Sequence, residues 1–394
     1  MTELRYGGAQ AAEAMAWQKA IREFAKSYAL AADGGPLKID GWIGDDDAKV
    51  AAEYRSRRKL PPPPPGVVVT HEEYAALVKT APPPPKPRHL GIVFRGTGGV
   101  IGQDYVSRVC QGAADLVEER NPQWPASMGG LPPGAPGTPS MNKAVQIAIA
   151  AGAAEIRSGR SFVLGGYSAG AIAAAKLRAM LEPGQPLAAY RDNYVCGFAF
   201  GNPARAFGHT YYLGAIPNGR GISDFNMPAS TLGWDWCDLV HPDDMYANVP
   251  LGDAGDIMTA IYQAVTDTQL SDPLGTLRAI LAAIPKVLAE AGVSIPLLAQ
   301  VGVGALTGNP AAMAGVLLPV LTSTLAGLIG GATGGQLTGP AAAVQAAIIA
   351  LRFAASGTAP HINYHTWEVW PGQTYLGLAI QHVRDWASRV PVRT

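Results

Sequence analysis

Between His89 and Val240 short apolar runs alternate with longer, helix-forming ones. Leu90 to Phe94, Phe162 to Gly165, Tyr194 to Phe200 and Trp234 to Val240 are apolar stretches of strand length. Between them, Ala113 to Glu119 and Ala169 to Leu181 predict helices. Ser140 is placed to cap a longer helix from Met141 to Ser158. Asn121 to Pro139 reads as a Pro/Gly-rich loop. Strands alternating with helices in this way predict an α/β domain, a mostly parallel sheet with helices on both faces. In such sheets reactive groups gather at the carboxyl ends of the strands.

The chain on either side of this rhythm is different. Glu13 to Leu30 predicts an amphipathic helix with Met15, Ile21, Phe24, Tyr28 and Leu30 on its apolar side. From Leu37 to Tyr54 an Asp40-Gly41 turn, a buried aromatic (Trp42), Gly44 and a helix opened by Asp45 to Asp47 predict a helix–turn–helix hairpin. The spacing Leu37-x-x-Asp40-Gly41-x-x-Gly44 resembles the peptidoglycan-binding modules of cell-wall hydrolases. Five prolines (Pro61 to Pro65), a short segment, then Pro82 to Pro85 and Pro87 follow. Each proline run predicts a polyproline II spacer of roughly 15 Å. The expected organisation is a small helical domain over 1–60, a linker over 61–88 and a catalytic domain over 89–394.

That last domain carries an insertion at about 254–355. No charged residue occurs from Ala291 to Leu351, and Ala311 to Gly331 is long enough to cross a bilayer. Pro319, Thr322, Ser323 and Thr324 interrupt that stretch, and it lies between segments that must converge on one site. The expectation is a soluble helical subdomain whose apolar concave surface receives long acyl chains. It predicts no stable membrane span and is compatible with interfacial lipid contact.

Composition narrows the function classes. Apolar residues make up 48% and charged residues 15% of the 394, a globular balance, and the net charge is zero, without the basic face of a nucleic-acid binder. Cys110, Cys196 and Cys237 have no metal-ligand spacing and allow at most one disulfide within the chain. Cys196, in an apolar run, reads as a buried small hydrophobe. The first residues lack the basic and apolar regions of a secretory signal, so the expectation is synthesis in the cytoplasm with release by another agent.

The chemistry centres on Gly166-Tyr167-Ser168-Ala169-Gly170, between a strand and a helix. In that context Gly-x-Ser-x-Gly reads as the nucleophile elbow of an α/β-hydrolase, with Ser168 the nucleophile. A serine needs a base, and the base needs an acid to orient it. Asp238, Asp243 and Asp244 are the candidate acids, and His361 and His365 the candidate bases. His71, His89, His241 and His382 read as structural or surface groups. Thr97, in the loop after the first strand, and Ala169 are the candidate oxyanion donors. Gly96, Gly98, Tyr167 and Trp124 are the candidate substrate contacts. Neither a phosphate loop nor a dinucleotide fingerprint is present, so no cofactor and no metal are implied.

Five pieces, Gly96-Thr97-Gly98, Gly166 to Gly170, Gly201-Asn202-Pro203, Asp243-Asp244-Met245-Tyr246-Ala247 and Pro360-His361-Ile362-Asn363-Tyr364, occur in the order found in the mycobacteriophage lysin B family, which this chain resembles over nearly all of 89–394. The resemblance implies a cutinase-like serine esterase. It implies Asp244 as the acid and His361 as the base, and as substrate the ester joining mycolic acids to arabinogalactan, cleaved at the host envelope during phage lysis. It also implies an inserted helical subdomain beside the active site. The N-terminal module is then expected to tether the enzyme to peptidoglycan by effective concentration. The competing expectations are a general cutinase or lipase acting on triglycerides or polyesters, and a non-catalytic wall-binding protein with a hydrolase fold.

Overall fold

A computed structural model describes residues 2–7, 11–78, 87–129, 137–211, 217–228, 232–267, 288–289, 310–330 and 336–394. The chain divides into two compact units, Met1–Lys86 and Pro87–Thr394.

In the first unit β1 (Leu4–Arg5) is followed by α1 (Ala11–Phe24), α2 (Asp45–Arg58), β2 (Val67–Val69) and α3 (His71–Val78). Two expectations change here. The buried side of α1 is Ala14, Trp17, Gln18 and Ile21, one helical stripe, while Met15, Phe24 and Leu30 are exposed and the helix stops at Phe24. Trp42 is 57% exposed rather than buried. The Asp40-Gly41 loop closes instead on the buried Gln18 amide, whose oxygen accepts from the Asp40 and Gly41 amides while its nitrogen donates to Trp42 O and Asp47 Oδ1. The expected linker over 61–88 also divides. Val67–Val69 is an apolar run that cannot stay in water at no cost. It pairs antiparallel with β1, and Arg55 of α2 binds Glu73 of α3 at 2.9 Å. The first folded unit therefore extends past residue 60, to Val78. The second proline run, Pro82–Pro85, lies outside the described residues.

The second unit is built on five parallel strands: β3 (His89–Phe94), β4 (Val117–Arg120), β5 (Phe162–Tyr167), β6 (Tyr194–Phe200) and β7 (Trp236–Leu239), in the order β4-β3-β5-β6-β7. Alternate residues of each central strand feed opposite cores. Leu90, Ile92, Phe94, Phe162 and Leu164 face one, and Val93, Val163, Phe198 and Phe200 the other. The first core contains α5 (Met141–Ile156) and α6 (Ala169–Ala179). The second contains α4 (Tyr105–Gly112) and a C-terminal helix, Tyr375–Ala387. This is an α/β fold, a parallel sheet with helices packed on both faces.

One predicted helix is a strand. Residues 117–120 form the edge strand β4, in which only Val117 is buried; the glutamates that favour helix lie on the open edge. The helix comes earlier, over Tyr105–Gly112, where burial of Val106, Val109 and Cys110 outweighs their poor propensity and the Asp104 carboxylate accepts from Val106 N at its start.

After β7 come α7 (Asp253–Thr266), α8 (Pro310–Ile329), α9 (Gly339–Ala355) and the short α10 (Ala359–Ile362). A two-stranded hairpin, β8 (Glu368–Trp370) and β9 (Gln373–Thr374), precedes the C-terminal α11 (Tyr375–Ala387). The described part of 254–355 is thus largely helical, while residues 291–309 and 331–335 of the uncharged stretch lie outside the described residues. Among the described residues no helix is long and apolar enough to cross a membrane.

His382 of α11 is fully buried, and its Nε2–H donates to Gly197 O at 3.0 Å. Burial pushes its pKa down to about 4 from an ordinary 6.5. The unfolded chain then takes up a proton below pH 6.5 that the folded chain refuses until about pH 4, so stability falls as pH falls through that window. The expected loss is about 3 kcal/mol. His89, likewise buried with a lowered pKa, adds in the same direction. Urea titrations at pH 7, 5.5 and 4.5 measure the slope, which His382→Gln should reduce. An unchanged slope in that variant would assign the pH dependence to other groups.

Candidate active site

The chain leaves β3 toward β4 on one side of the sheet and β5 toward β6 and β7 on the other. The crevice beyond the carboxyl ends of β3 and β5 is therefore the switch point, where open α/β sheets present their sites. Register pairs Phe94 with Gly166, which brings the Thr97 loop level with the elbow.

At the elbow Ser168 has φ 55° and ψ −124°, a conformation L-residues avoid and one that stores about 1–3 kcal/mol. Its neighbours hold it there: Ser168 N donates to Phe200 O at 3.1 Å, and Ala171 N donates to Ser168 O at 2.9 Å. Gly170 is required because a β-carbon would run into the Phe94 and Arg95 carbonyl oxygens, so tightly does α6 start against the end of β3.

His361 reaches the serine from α10. Its Nε2 is 2.9 Å from Ser168 Oγ, and its Nδ1 is 2.8 Å from Asp244 Oδ2. Asp244 is 0% and His361 6% exposed. Asp244 follows β7 in a tight loop: its own N donates to His241 O, Ala247 N donates to its O, and Tyr246 N donates to its Oδ1 at 3.1 Å. The buried Arg205 locks this loop from outside, donating to Ala247 O at 2.7 Å and to Asn248 Oδ1 at 3.1 Å. Gly201 at the end of β6 has φ 50°, and a β-carbon there would lie 2.7 Å from both Asp244 Oδ2 and His361 Nδ1. The close approach of base and acid needs that glycine.

The other candidates lie elsewhere. Asp243 is exposed, and its backbone N donates to His241 Nδ1 at 3.1 Å. Asp238 is buried within β7, 2.9 Å from His209 Nδ1 and accepting from Asn202 Nδ2 at 3.0 Å. His365 is exposed and 3.0 Å from Tyr105 Oη.

Of the candidate oxyanion loop, the Gly96 amide donates to Asp104 Oδ2 at 3.1 Å, the Gly98 amide to Ala126 O and the Gly99 amide to Gly96 O. Among the described residues the Thr97 and Ala169 amides have no such partner, so both N–H groups are open to an acceptor. Burial raises the pKa of Asp104, which anchors that loop.

Two expected substrate contacts have other roles. Trp124 is a core residue, 5% exposed, and Arg95 stacks over its ring while donating to its carbonyl at 3.0 Å. A buried indole packed in this way leaves no face for substrate. Tyr167 is a strut: its hydroxyl donates to His361 O at 2.9 Å and its ring lies against Gly96. The rings of Tyr167 and Tyr246 flank His361, with centroids at 5.2 and 4.8 Å.

Sequence reading missed Tyr364 as a site residue. It is 1% exposed, and its hydroxyl donates to Asp244 Oδ2 at 2.6 Å. Its place in the Pro360–Tyr364 piece was the available signal. Tyr246 was missed as well; it packs on Phe353 of α9 and Tyr262 of α7, so the inserted helices form a wall beside the base. A cleft of about 570 Å³ adjoins the acid and base loops, lined by Asp243, Met245, Arg352, Phe353, Pro360 and Trp367. Among the described residues no group of three or more His, Cys, Asp or Glu side chains could hold a metal ion.

No protein-family model matches the chain, and no curated protein matches it. Among solved structures it matches lysin B from Mycobacteriophage D29 at 17% identity and a TM-score of 0.39, covering 76% of this chain and 99% of that one. It also matches a cutinase-like protein from Cryptococcus sp. at 18% identity and a TM-score of 0.32, over 48% of this chain and 91% of that one. A third match is the catalytic core domain of acetyl xylan esterase from Trichoderma reesei, at 20% identity and a TM-score of 0.33, over 47% and 99% of the two chains.

Proposed function

We propose that the chain is a serine carboxylic-ester hydrolase that cleaves the ester between mycolic acids and arabinogalactan, acting at the envelope of a mycobacterial host during phage lysis. The observation that carries the hydrolase reading is the unbroken line from Ser168 Oγ to His361 Nε2 at 2.9 Å and from His361 Nδ1 to Asp244 Oδ2 at 2.8 Å. In this reading Ser168 attacks the ester carbonyl as His361 takes its proton, and Asp244 holds the imidazole in the correct tautomer. The Thr97 and Ala169 amides stabilise the oxyanion of the tetrahedral intermediate. His361 then protonates the departing sugar oxygen, leaving an acyl-Ser168 ester. A water that gives its proton to His361 hydrolyses that ester, releasing the fatty acid and returning the proton to Ser168.

The substrate assignment rests on the five motifs shared in order with the lysin B family and on the uncharged stretch from Ala291 to Leu351, which suits a long lipid chain. The first unit would hold the enzyme at peptidoglycan, so that an insoluble substrate is met at high effective concentration. The test compares free mycolate released from purified mycolyl-arabinogalactan with hydrolysis of long-chain triglycerides. Mycolate release is expected. Negligible mycolate release alongside fast triglyceride hydrolysis would replace this substrate with that of a general lipase.

A further inference from the structure

The Asp244 carboxylate does more than face the base. Its Oδ2 accepts two donors at once, His361 Nδ1 at 2.8 Å and Tyr364 Oη at 2.6 Å, and its Oδ1 accepts Tyr246 N at 3.1 Å. Tyr364 Oη is itself fixed, because it accepts from His241 N at 3.2 Å. A backbone amide, a phenol, a carboxylate and an imidazole thus form one chain of hydrogen bonds. Each donor in such a chain polarises the next. The Tyr364 ring is boxed by Tyr375 (5.3 Å), Phe200 (5.7 Å) and Tyr105 (6.2 Å), so the hydroxyl has little freedom to point elsewhere.

We infer that Tyr364 is a positioning residue for ester hydrolysis, whose hydroxyl fixes the Asp244 carboxylate and draws off part of its charge so that the carboxylate orients the His361 imidazole without competing for its Nδ1 proton. The inference rests on the hydrolase reading of Ser168, His361 and Asp244. A carboxylate with an extra strong donor on the same oxygen is a weaker acceptor toward the imidazole. The imidazolium formed as Ser168 attacks is then held firmly enough to form and loosely enough to give its proton to the leaving alcohol.

Other titratable groups face this cluster: Tyr105 from α4, Tyr167 at the end of β5, Tyr246 and His241 in the acid loop, and Tyr375 from α11. Asp243 and His365 are exposed behind His241 and Tyr105. Burial pushes Tyr105 up to about 12 and raises Tyr167 and Tyr246 as well, so these phenols stay neutral near pH 7. Burial lowers His241. All of these groups are present in every variant below, so a difference between variants isolates the Tyr364 hydroxyl.

The test uses the full chain with Tyr364→Phe, which keeps the ring and removes the donor, and the same chain carrying 3-fluorotyrosine at position 364, a more acidic and stronger donor. Two quantities are read: the far-downfield proton resonance of His361 Nδ1–H and the acid limb of kcat/KM for a p-nitrophenyl ester. In Tyr364→Phe the resonance should move further downfield, and the acid limb should move to higher pH by roughly half a unit. kcat should fall about tenfold with KM unchanged. The fluorinated chain should shift both readouts the opposite way, which loss of packing cannot do. A resonance unmoved in both variants while ester hydrolysis persists would overturn the role of Tyr364 and leave the hydrolase reading intact. Absence of ester hydrolysis from the parent protein would instead sink the hydrolase reading, and the resonance shifts would still decide whether Tyr364 tunes the Asp244–His361 pair.

Discussion

Ser168→Ala is expected to lower p-nitrophenyl ester hydrolysis by about 10⁴- to 10⁶-fold while the protein stays folded. The loss is so large because the nucleophile and its base act as a unit; without Oγ, the His361 imidazole has no proton to take at the reacting centre. The residue left behind still fits. Alanine has the same positive-φ penalty as serine, and the backbone bonds that hold the elbow, Ser168 N to Phe200 O and Ala171 N to Ser168 O, do not involve the side chain. Stability should therefore change by less than about 1 kcal/mol, read as a urea midpoint beside the rate. Full retained activity would exclude Ser168 as nucleophile. An inactive parent protein that still binds cell wall would favour a non-catalytic binder.

The parts of the site that could be read from the chain are those whose signal is local. A strand, Gly-x-Ser-x-Gly and a helix are contiguous, so the elbow is visible without any tertiary knowledge. The acid and base are not. Asp244 lies 117 residues before His361, and Ser168 lies 193 residues from it. Nothing in the local pattern separates Asp243 from Asp244; in the structure a tight loop turns one carboxylate inward and leaves its neighbour in water. Tyr364 escaped for the same reason: α10 ends at Ile362, so helical spacing from His361 does not carry that far. The strand 117–120 was read as helix because at an open edge the glutamates follow propensity while the ladder follows the sheet. In the first unit the apolar stripe was placed on the wrong residues because Met15 and Phe24 are large yet exposed, whereas Ala14 and Gln18 are buried. There a polar side chain organises the loop, which a hydrophobicity count misses.

Asp244→Asn should cost about 10⁴-fold in kcat, whereas Asp243→Asn should stay within about threefold of the parent. The carboxylate at 244 is an acceptor on every side: Oδ2 takes His361 Nδ1–H and Tyr364 Oη–H, and Oδ1 takes Tyr246 N–H. A carboxamide has only one acceptor end. If its oxygen faces His361, its NH₂ points at the Tyr246 amide, donor against donor. If its NH₂ faces His361, the imidazole must adopt the opposite tautomer and then presents N–H rather than a lone pair to Ser168. In the first orientation the buried NH₂ lacks an acceptor, and in the second the pair survives only in the wrong tautomer, so Asp244→Asn should also lose about 1–3 kcal/mol of stability. Asp243 is exposed, and its hydrogen bond to His241 Nδ1 comes from its backbone N, which asparagine retains. Rates with a p-nitrophenyl ester and urea midpoints for both variants separate the two positions. The reverse ranking would mean that Asp243, and not Asp244, orients His361, with the acid loop shifted by one residue.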